Sequence, residues 1–148
     1  MDIEENLGYV FFDKSTLERA FTRKAHALEQ RQKQIPCEDQ EIFRTLGDAV
    51  LKTVLIDLLI RGGCCRSRDE LTQAKKQLER EENLARVGES LGISANIRLG
   101  KGEEKHRADK EPYVLAETVE ALIGAIFMDG GYEAAQQWIK RWFGPYLP

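Results

Sequence analysis

Two stretches of the chain place carboxylates within sequence that is otherwise apolar and helical. The first contains Gly47-Asp48, and its neighbours would cover most of a helix surface with Leu46, Ala49, Val50, Leu51, Val54, Leu55, Leu58 and Leu59. This pattern predicts a buried helix. Burying an unpaired carboxylate is very costly, so Asp48 needs a partner or a metal ion. Asp48 is therefore the first candidate for chemistry.

The second stretch carries Glu117 and Glu120, which are three residues apart and share one helix face. Gly47 and Gly124 would let the two helices approach closely, so we expect Asp48 to lie near both glutamates. Three clustered carboxylates repel one another unless a cation or a shared proton relieves them. Oxygen ligands with room for water suit Mg²⁺, which activates water or stabilises a phosphoryl transition state. The alternatives are a satisfied buried Asp48 and a solvated face at Glu117 and Glu120.

The elements that must position these residues are all predicted to be helical, and no segment shows strand alternation. The fold class is therefore all-α, a bundle built around two buried helices. The predicted helices cover about residues 2–8, 15–24, 40–60, 67–91 with a break near Glu82, 113–128 and 132–143, with a helical turn within 93–99. Capping boxes at Ser15–Glu18 and Ser67–Glu70 begin two of them. Residues 27–39 are expected to be a loop or frayed helix end, and 100–112 a charged loop.

Composition favours a single globular domain over residues 1–148. The chain is 42% hydrophobic and 32% charged, with a net charge of −3, so a nucleic-acid surface would have to be a local patch. Lys52 and Asp57 interrupt the most apolar run, and the first residues do not resemble a signal peptide. The three cysteines form no metal-binding pattern. We expect a cytoplasmic protein with no membrane partner.

Two motifs carry a resemblance to a known family. Glu41 to Leu51 resembles the ribonuclease III catalytic-domain signature, E-x-L-E-F-L-G-D-A-V-L. Leu115 to Ala125, preceded by Leu99-Gly100-Lys101-Gly102-Glu103, resembles the second acidic motif of that family, L-A-D-x-x-E-A-x-x-G-A. Residues 5–22 and 78–85 are also similar to family segments. The resemblance covers nearly the whole chain, in order.

The resemblance implies an all-helical endonuclease domain that forms a homodimer, holds double-stranded RNA and cuts one strand per protomer. It implies an Mg²⁺-dependent endoribonuclease in RNA processing, with Mn²⁺ as a substitute, that leaves 5′-phosphate and 3′-hydroxyl ends. Asp48 and Glu120 fall on the two central catalytic acids, and Glu117 falls on a family aspartate. These three are the expected metal ligands. Glu41 falls on a further acid that lies farther from the metal.

The chain also departs from the family pattern. Arg44 stands where the family has a metal-ligand glutamate, and Arg68 stands near the position of another. Arg23 and Ala25 replace the usual histidine and serine. No double-stranded-RNA-binding domain follows within the 148 residues, an arrangement shared with the Mini-III subgroup, which also departs at the signature glutamate.

These departures leave several alternatives open. Arg44 is expected to form an intrahelical ion pair with Asp48, or alternatively to contact a substrate phosphate. Lys75, Lys76 and Arg80 are either a solvated helix face or contacts to the RNA backbone. The rival to an active nuclease is a catalytically impaired dimer that serves as an RNA-binding or scaffold protein.

Overall fold

The computed structural model describes residues 2–148, and the regular structure in them is helical, which confirms the predicted all-α class. Its eight α-helices are α1 (Ile3–Leu7), α2 (Lys14–Ala20), α3 (Lys24–Gln32), α4 (Glu41–Gly62), α5 (Arg68–Glu79), α6 (Glu81–Leu91), α7 (Lys101–Lys105) and α8 (Pro112–Phe143). Short 3-10 turns occupy Ser94–Asn96, Ala108–Lys110 and Gly144–Tyr146. The extended pairing in residues 2–148 is one isolated bridge between Thr22 and Arg98.

Helices α4 and α8 form the centre of the bundle, as their apolar sequences predict. Both helices bury residues on most of their circumference, including Val54, Leu55, Val119 and Leu122, each fully shielded from solvent. The amphipathic helices α5 and α6 pack around this pair and bury Leu78, Leu84 and Val87. Burial of this kind contributes roughly 1.5–3 kcal/mol per large aliphatic side chain.

The ends of these helices follow their sequences closely at several points. Gly63 caps the C-terminal end of α4: it has a left-handed conformation with φ of 69° and donates its N–H to the Ile60 carbonyl. Ser67 caps α5 by accepting the N–H of Glu70 at 3.1 Å, as predicted. The predicted break near Glu82 lies instead at Arg80, whose extended backbone separates α5 from α6.

Three local predictions were wrong. Helix α2 is capped by Asp13, whose carboxylate accepts the N–H of Ser15 at 2.9 Å, so the Ser15 capping box does not form. That helix ends at Ala20, and a separate α3 occupies much of the region expected to be a loop. The charged loop after Leu99 contains α7, where the Glu103 carboxylate accepts the N–H of Gly100 and stabilises the first turn.

Helix α8 contains both predicted C-terminal helices, and a kink at Gly131 interrupts its helical backbone in the predicted gap between them. The backbone there has φ of 84° and ψ of −176°, a conformation that favours glycine. Beyond the kink, Trp142 is buried and donates its indole N–H to the Leu7 carbonyl at 3.0 Å. Trp138 packs edge-on against Tyr9. Both tryptophans therefore pack within the protein.

None of the helices within residues 2–148 combines the length and hydropathy that crossing a lipid bilayer requires.

Candidate active site

The site begins with a close crossing of α4 and α8. A methyl group at Gly47 would collide with the Glu120 carbonyl oxygen, and one at Gly124 would collide with the Phe43 carbonyl oxygen. Only glycine allows the two backbones to lie this close. The crossing places Asp48, the residue after Gly47, beside Glu120.

The Asp48 and Glu120 carboxyl groups lie close enough for each to shift the pKa of the other. Burial, hydrogen bonding to Asp48 and repulsion from Asp48 together raise the pKa of Glu120 to about 7. Burial also acts to raise the pKa of Asp48, but the Lys52 ammonium and the Glu120 carboxyl outweigh it and lower that pKa. A proton held by this pair therefore lies on Glu120 and not on Asp48, and it is lost as the pH rises through about 7.

Lys52 completes this arrangement on α4. Its ammonium lies 2.7 Å from Asp48 Oδ2, and the two residues are four apart along the helix. Both side chains are less than half exposed. The expected ion pair between Arg44 and Asp48 is therefore wrong. The Asp48 carboxylate pairs instead with Lys52, which lies one turn after it on α4. The i,i+4 spacing of Asp48 and Lys52 was a signal that the sequence analysis missed.

Glu117 has different partners. Its Oε1 accepts a hydrogen bond from Arg23 Nη1, and its Oε2 forms an ion pair with Arg44 Nη2, both at 2.7 Å. Arg44 also donates to Glu41 at 2.7 Å, and Arg23 donates to Glu103 at 3.1 Å. Acids and arginines thus alternate in one continuous network, and Glu41 belongs to it through Arg44. Arg23 is held by acids from α7 and α8, which are distant in sequence, so the sequence identified it as a departure but not as a partner of Glu117.

The structure accordingly brings together two of the three expected carboxylates. No group of three or more His, Cys, Asp or Glu side chains within residues 2–148 is arranged to hold a metal ion. The expected grouping of Asp48, Glu117 and Glu120 is wrong in that respect, because Glu117 is neutralised by two guanidinium groups. The Asp48–Glu120 pair remains, and its roles in catalysis and metal binding stay predictions.

The Asp48–Glu120 pair suits one hard divalent cation. Mg²⁺ is usually bound through one or two carboxylates, with water and substrate phosphate filling the other positions. A proton shared by two carboxyl groups relieves the repulsion between them. A divalent cation bound to both groups relieves the same repulsion and displaces that proton. The donor set therefore fits Mg²⁺ at Asp48 and Glu120.

The predicted RNA-contacting side chains lie on α5 and on the residue that follows it. Lys75 pairs with Glu79 at 3.0 Å and is near enough to Asp48 to favour its ionised form. Lys76 and Arg80 are exposed, and Arg80 makes a long contact of 3.6 Å with Glu82. Arg44 is held through its two terminal nitrogens by Glu41 and Glu117.

Known proteins are similar to this chain in sequence and in fold. A family model described as ribonuclease-III-like matches residues 13–147. "Ribonuclease 3" of Syntrophotalea carbinolica is 34% identical over 145 residues, which are 98% of this chain and 62% of that protein. "Ribonuclease 3" of Bordetella pertussis is also 34% identical, over 98% of this chain and 53% of that protein. The chain thus spans just over half the length of these curated relatives.

The solved structures agree with the sequence matches. A crystal structure of the nuclease domain of ribonuclease III from Campylobacter jejuni superposes with a TM-score of 0.87 and 28% sequence identity, covering 99% of this chain and 94% of that one. The family model accounts for nearly all of the sequence, and the same helical arrangement recurs in that nuclease domain. The chain belongs to the ribonuclease III family.

Proposed function

We propose that this protein is an Mg²⁺-dependent endoribonuclease that hydrolyses phosphodiester bonds of double-stranded or structured RNA. Its products would carry 5′-phosphate and 3′-hydroxyl ends. The observation that carries this proposal is the Asp48–Glu120 pair, held at a glycine-lined helix crossing in a chain of the ribonuclease III family. A helical domain with a paired, partly buried acid site is suited to phosphodiester hydrolysis.

In this mechanism Asp48 and Glu120 hold the cation. When bound, Mg²⁺ supplies a Lewis acid that polarises the phosphate and lowers the pKa of a bound water, and Mn²⁺ can substitute for it. Glu120 gives up the proton that it otherwise shares with Asp48. Lys52 keeps Asp48 ionised and oriented through the 2.7 Å ion pair. Glu41 acts at a distance from the cation by holding Arg44.

The RNA and a second copy of the chain are the proposed partners. The nuclease domain of ribonuclease III from Campylobacter jejuni shows structural flexibility in a region involved in dimer formation. In this chain Ile42 is 66% exposed on the first turn of α4, beside the acidic network. An apolar side chain exposed there favours contact with another subunit. The exposed Lys76 and Arg80 would contact RNA phosphates.

The test is cleavage of a duplex RNA with Mg²⁺ or Mn²⁺ present. We expect Asp48→Asn and Glu120→Gln to lower the rate at least about a hundredfold, because each removes a cation ligand. Asp57→Asn is the matched control, since Asp57 is an acid on the same helix with its own i,i+4 partner, Arg61. That control should cleave at the parental rate. An uncut duplex under conditions where an active relative cleaves it would exclude the proposed activity.

A catalytically impaired, RNA-binding dimer is the second candidate function. The observation that favours it is the pairing of Glu117 with Arg23 and Arg44, because Arg44 stands where the family pattern has a metal-ligand glutamate. If this function is correct, the parent protein binds duplex RNA without cutting it. An Arg44→Glu variant would then gain both metal binding and cleavage.

A further inference from the structure

Glu117 is the best-partnered acid beside the site. One of its oxygens accepts a charge-assisted hydrogen bond from Arg23 and the other forms an ion pair with Arg44, each at 2.7 Å. Its side chain is 22% exposed, and those of the arginines are 13% and 30% exposed. A cation bound by Glu117 would either lie beside two guanidinium charges on the same carboxylate or displace one of them and leave a partly buried guanidinium without its partner. Breaking a shielded ion pair in this way is strongly unfavourable.

The network also fixes the position of Arg44. Nη1 donates to Glu41 and Nη2 forms an ion pair with Glu117, so acids from two different helices hold the planar guanidinium at two points. The Nε atom is buried and has no hydrogen-bond partner. Arg44 lies one helical turn before Asp48 and faces α8 next to Glu120. A permanent positive charge therefore stands beside the two carboxylates.

From this geometry we infer that the centre takes a single divalent cation per chain, on Asp48 and Glu120, and that Glu117 positions Arg44 instead of binding the cation. Arg44 supplies fixed positive charge next to the Asp48–Glu120 pair, whereas an acid at this position would provide a ligand for a further cation. This inference rests on the proposed cation-dependent function, and it assigns different roles to Glu117 and Glu120, which lie on the same helix face.

Mn²⁺ binding to the metal-free protein tests this assignment without reference to cleavage. Titration calorimetry gives the number of ions per chain, and the electron paramagnetic resonance signal of free Mn²⁺ gives an independent count. We expect one ion per parent chain. Asp48→Asn and Glu120→Gln should weaken binding at least tenfold, whereas Glu117→Gln should leave the affinity within about threefold of the parent.

Arg44 variants separate a positioning role from a structural one. Arg44→Glu adds an acid and releases one oxygen of Glu117, so it should bind a second Mn²⁺ per chain. Arg44→Gln removes the same positive charge without adding a ligand and should still bind one ion. If Glu117→Gln does not fold, the double variant Arg44→Gln/Glu117→Gln replaces it, because it removes both charges of the pair together. Circular dichroism confirms that each variant is folded.

Three results would overturn the inference: two ions or none on the parent chain, loss of Mn²⁺ binding in the folded variant that lacks the Glu117 carboxylate, or a single ion on Arg44→Glu. Cleavage assays on the same preparations keep the two proposals distinguishable. One bound ion without RNA cleavage would exclude the proposed activity and leave the inference standing. RNA cleavage with two bound ions would exclude only the inference.

Discussion

The two glutamates of the acidic helix differ in their surroundings although they lie one turn apart. Glu117 faces two guanidinium groups, whereas Glu120 is buried against the Asp48 carboxylate. Burial and Asp48 raise the pKa of Glu120 to about 7, while the Arg44 and Lys52 charges act in the opposite direction. The same side chain thus has a raised pKa at one position and two guanidinium partners at the other.

This difference predicts how stability depends on pH in the metal-free protein. The pKa of Glu120 is higher in the folded state than its ordinary value of 4.5, so its contribution to stability is fully present below pH 4.5 and is lost as the pH rises through about 7. Gln resembles the protonated form. We expect Glu120→Gln to match the parent at pH 5 and to be more stable at pH 8 by about 1–2 kcal/mol, after allowance for solvent screening.

Thermal or urea unfolding in the presence of a chelator measures this effect. Glu117→Gln is the control at the neighbouring position, because it removes an acid that is already paired. It should destabilise the protein at both pH values, since it leaves Arg23 and Arg44 without a shared partner. A Glu120→Gln variant that is less stable than the parent at pH 8 would contradict the assignment of the raised pKa.

At the scale of the elements, the site depends on how closely α4 and α8 cross. Gly47 meets the backbone of Glu120, and Gly124 meets the backbone of Phe43. These are backbone contacts, which cannot move aside in the way that a side chain can. The absence of a Cβ at Gly47 and Gly124 therefore sets the separation of the two helices, and with it the distance between Asp48 and Glu120.

Gly47→Ala should consequently destabilise the fold by at least about 3 kcal/mol, because the helices must separate to admit the methyl group. Gly62→Ala is the matched control on the same helix, where nothing lies within 4 Å of the added carbon. It should be neutral or stabilising by up to about 1 kcal/mol, since alanine favours a helix over glycine. Urea denaturation followed by circular dichroism compares the two, and equal stabilities would refute the steric account.

The helices that are easiest to predict from the sequence are those with apolar residues on most faces, because that pattern is typical of a buried helix. The α4 sequence is apolar on most faces and ends at a glycine pair, so its extent and burial were predictable. The crossing through Gly47 and Gly124 was also predictable, because each glycine stands near an acid in a buried helix. In contrast, α3 has few apolar residues and buries only Ala27, so its sequence carries little helical periodicity.

The partners of the charged residues were harder to predict. Arg44 had acids at Glu41 and Asp48 on its own helix, and local spacing alone could not decide between them. The decision comes from Glu117 on α8, which draws Arg44 to one side and leaves Asp48 to Lys52. Such pairings depend on tertiary geometry that one-dimensional spacing does not contain.

At the scale of the whole molecule, Asp129 connects the two ends of the chain. Its carboxylate accepts hydrogen bonds from the Tyr9 hydroxyl at 2.7 Å and from the backbone N–H groups of Phe12 and Asp13 at 3.0 and 3.1 Å. Burial acts to raise the pKa of Asp129, but these donors together outweigh it and hold that pKa below its ordinary value of 3.8. The N-terminal segment is thereby fastened to α8 just before the Gly131 kink.

Asp129→Asn tests this connection. A lowered folded-state pKa contributes stability that is present above the unfolded-state value of 3.8 and is lost as the pH falls through the folded-state value. The substitution should cost about 1–2 kcal/mol at pH 7 and progressively less below about pH 4, where the parent carboxylate becomes protonated. Urea unfolding at pH 7 and pH 3 measures the difference. Glu133→Gln, at an exposed acid on α8, should change little at either pH, and a pH-independent loss for Asp129→Asn would contradict the ionic contribution.

The overall charge of −3 restricts how the molecule can hold RNA, because phosphate contacts must come from a few local cations. Lys76 is exposed on α5, next to Lys75, whose charge acts on Asp48, and Arg80 is exposed directly after the end of that helix. These two residues are therefore the candidates for phosphate contacts near the site. Replacing both with glutamine should weaken duplex RNA binding at low salt and reduce the slope of log K against log salt by about 2, one for each lost phosphate contact. Lys140→Gln, at an exposed position beyond the Gly131 kink, should leave that slope unchanged. Fluorescence anisotropy across a salt series measures both variants, and an unaltered slope in the double variant would place the RNA-binding surface elsewhere.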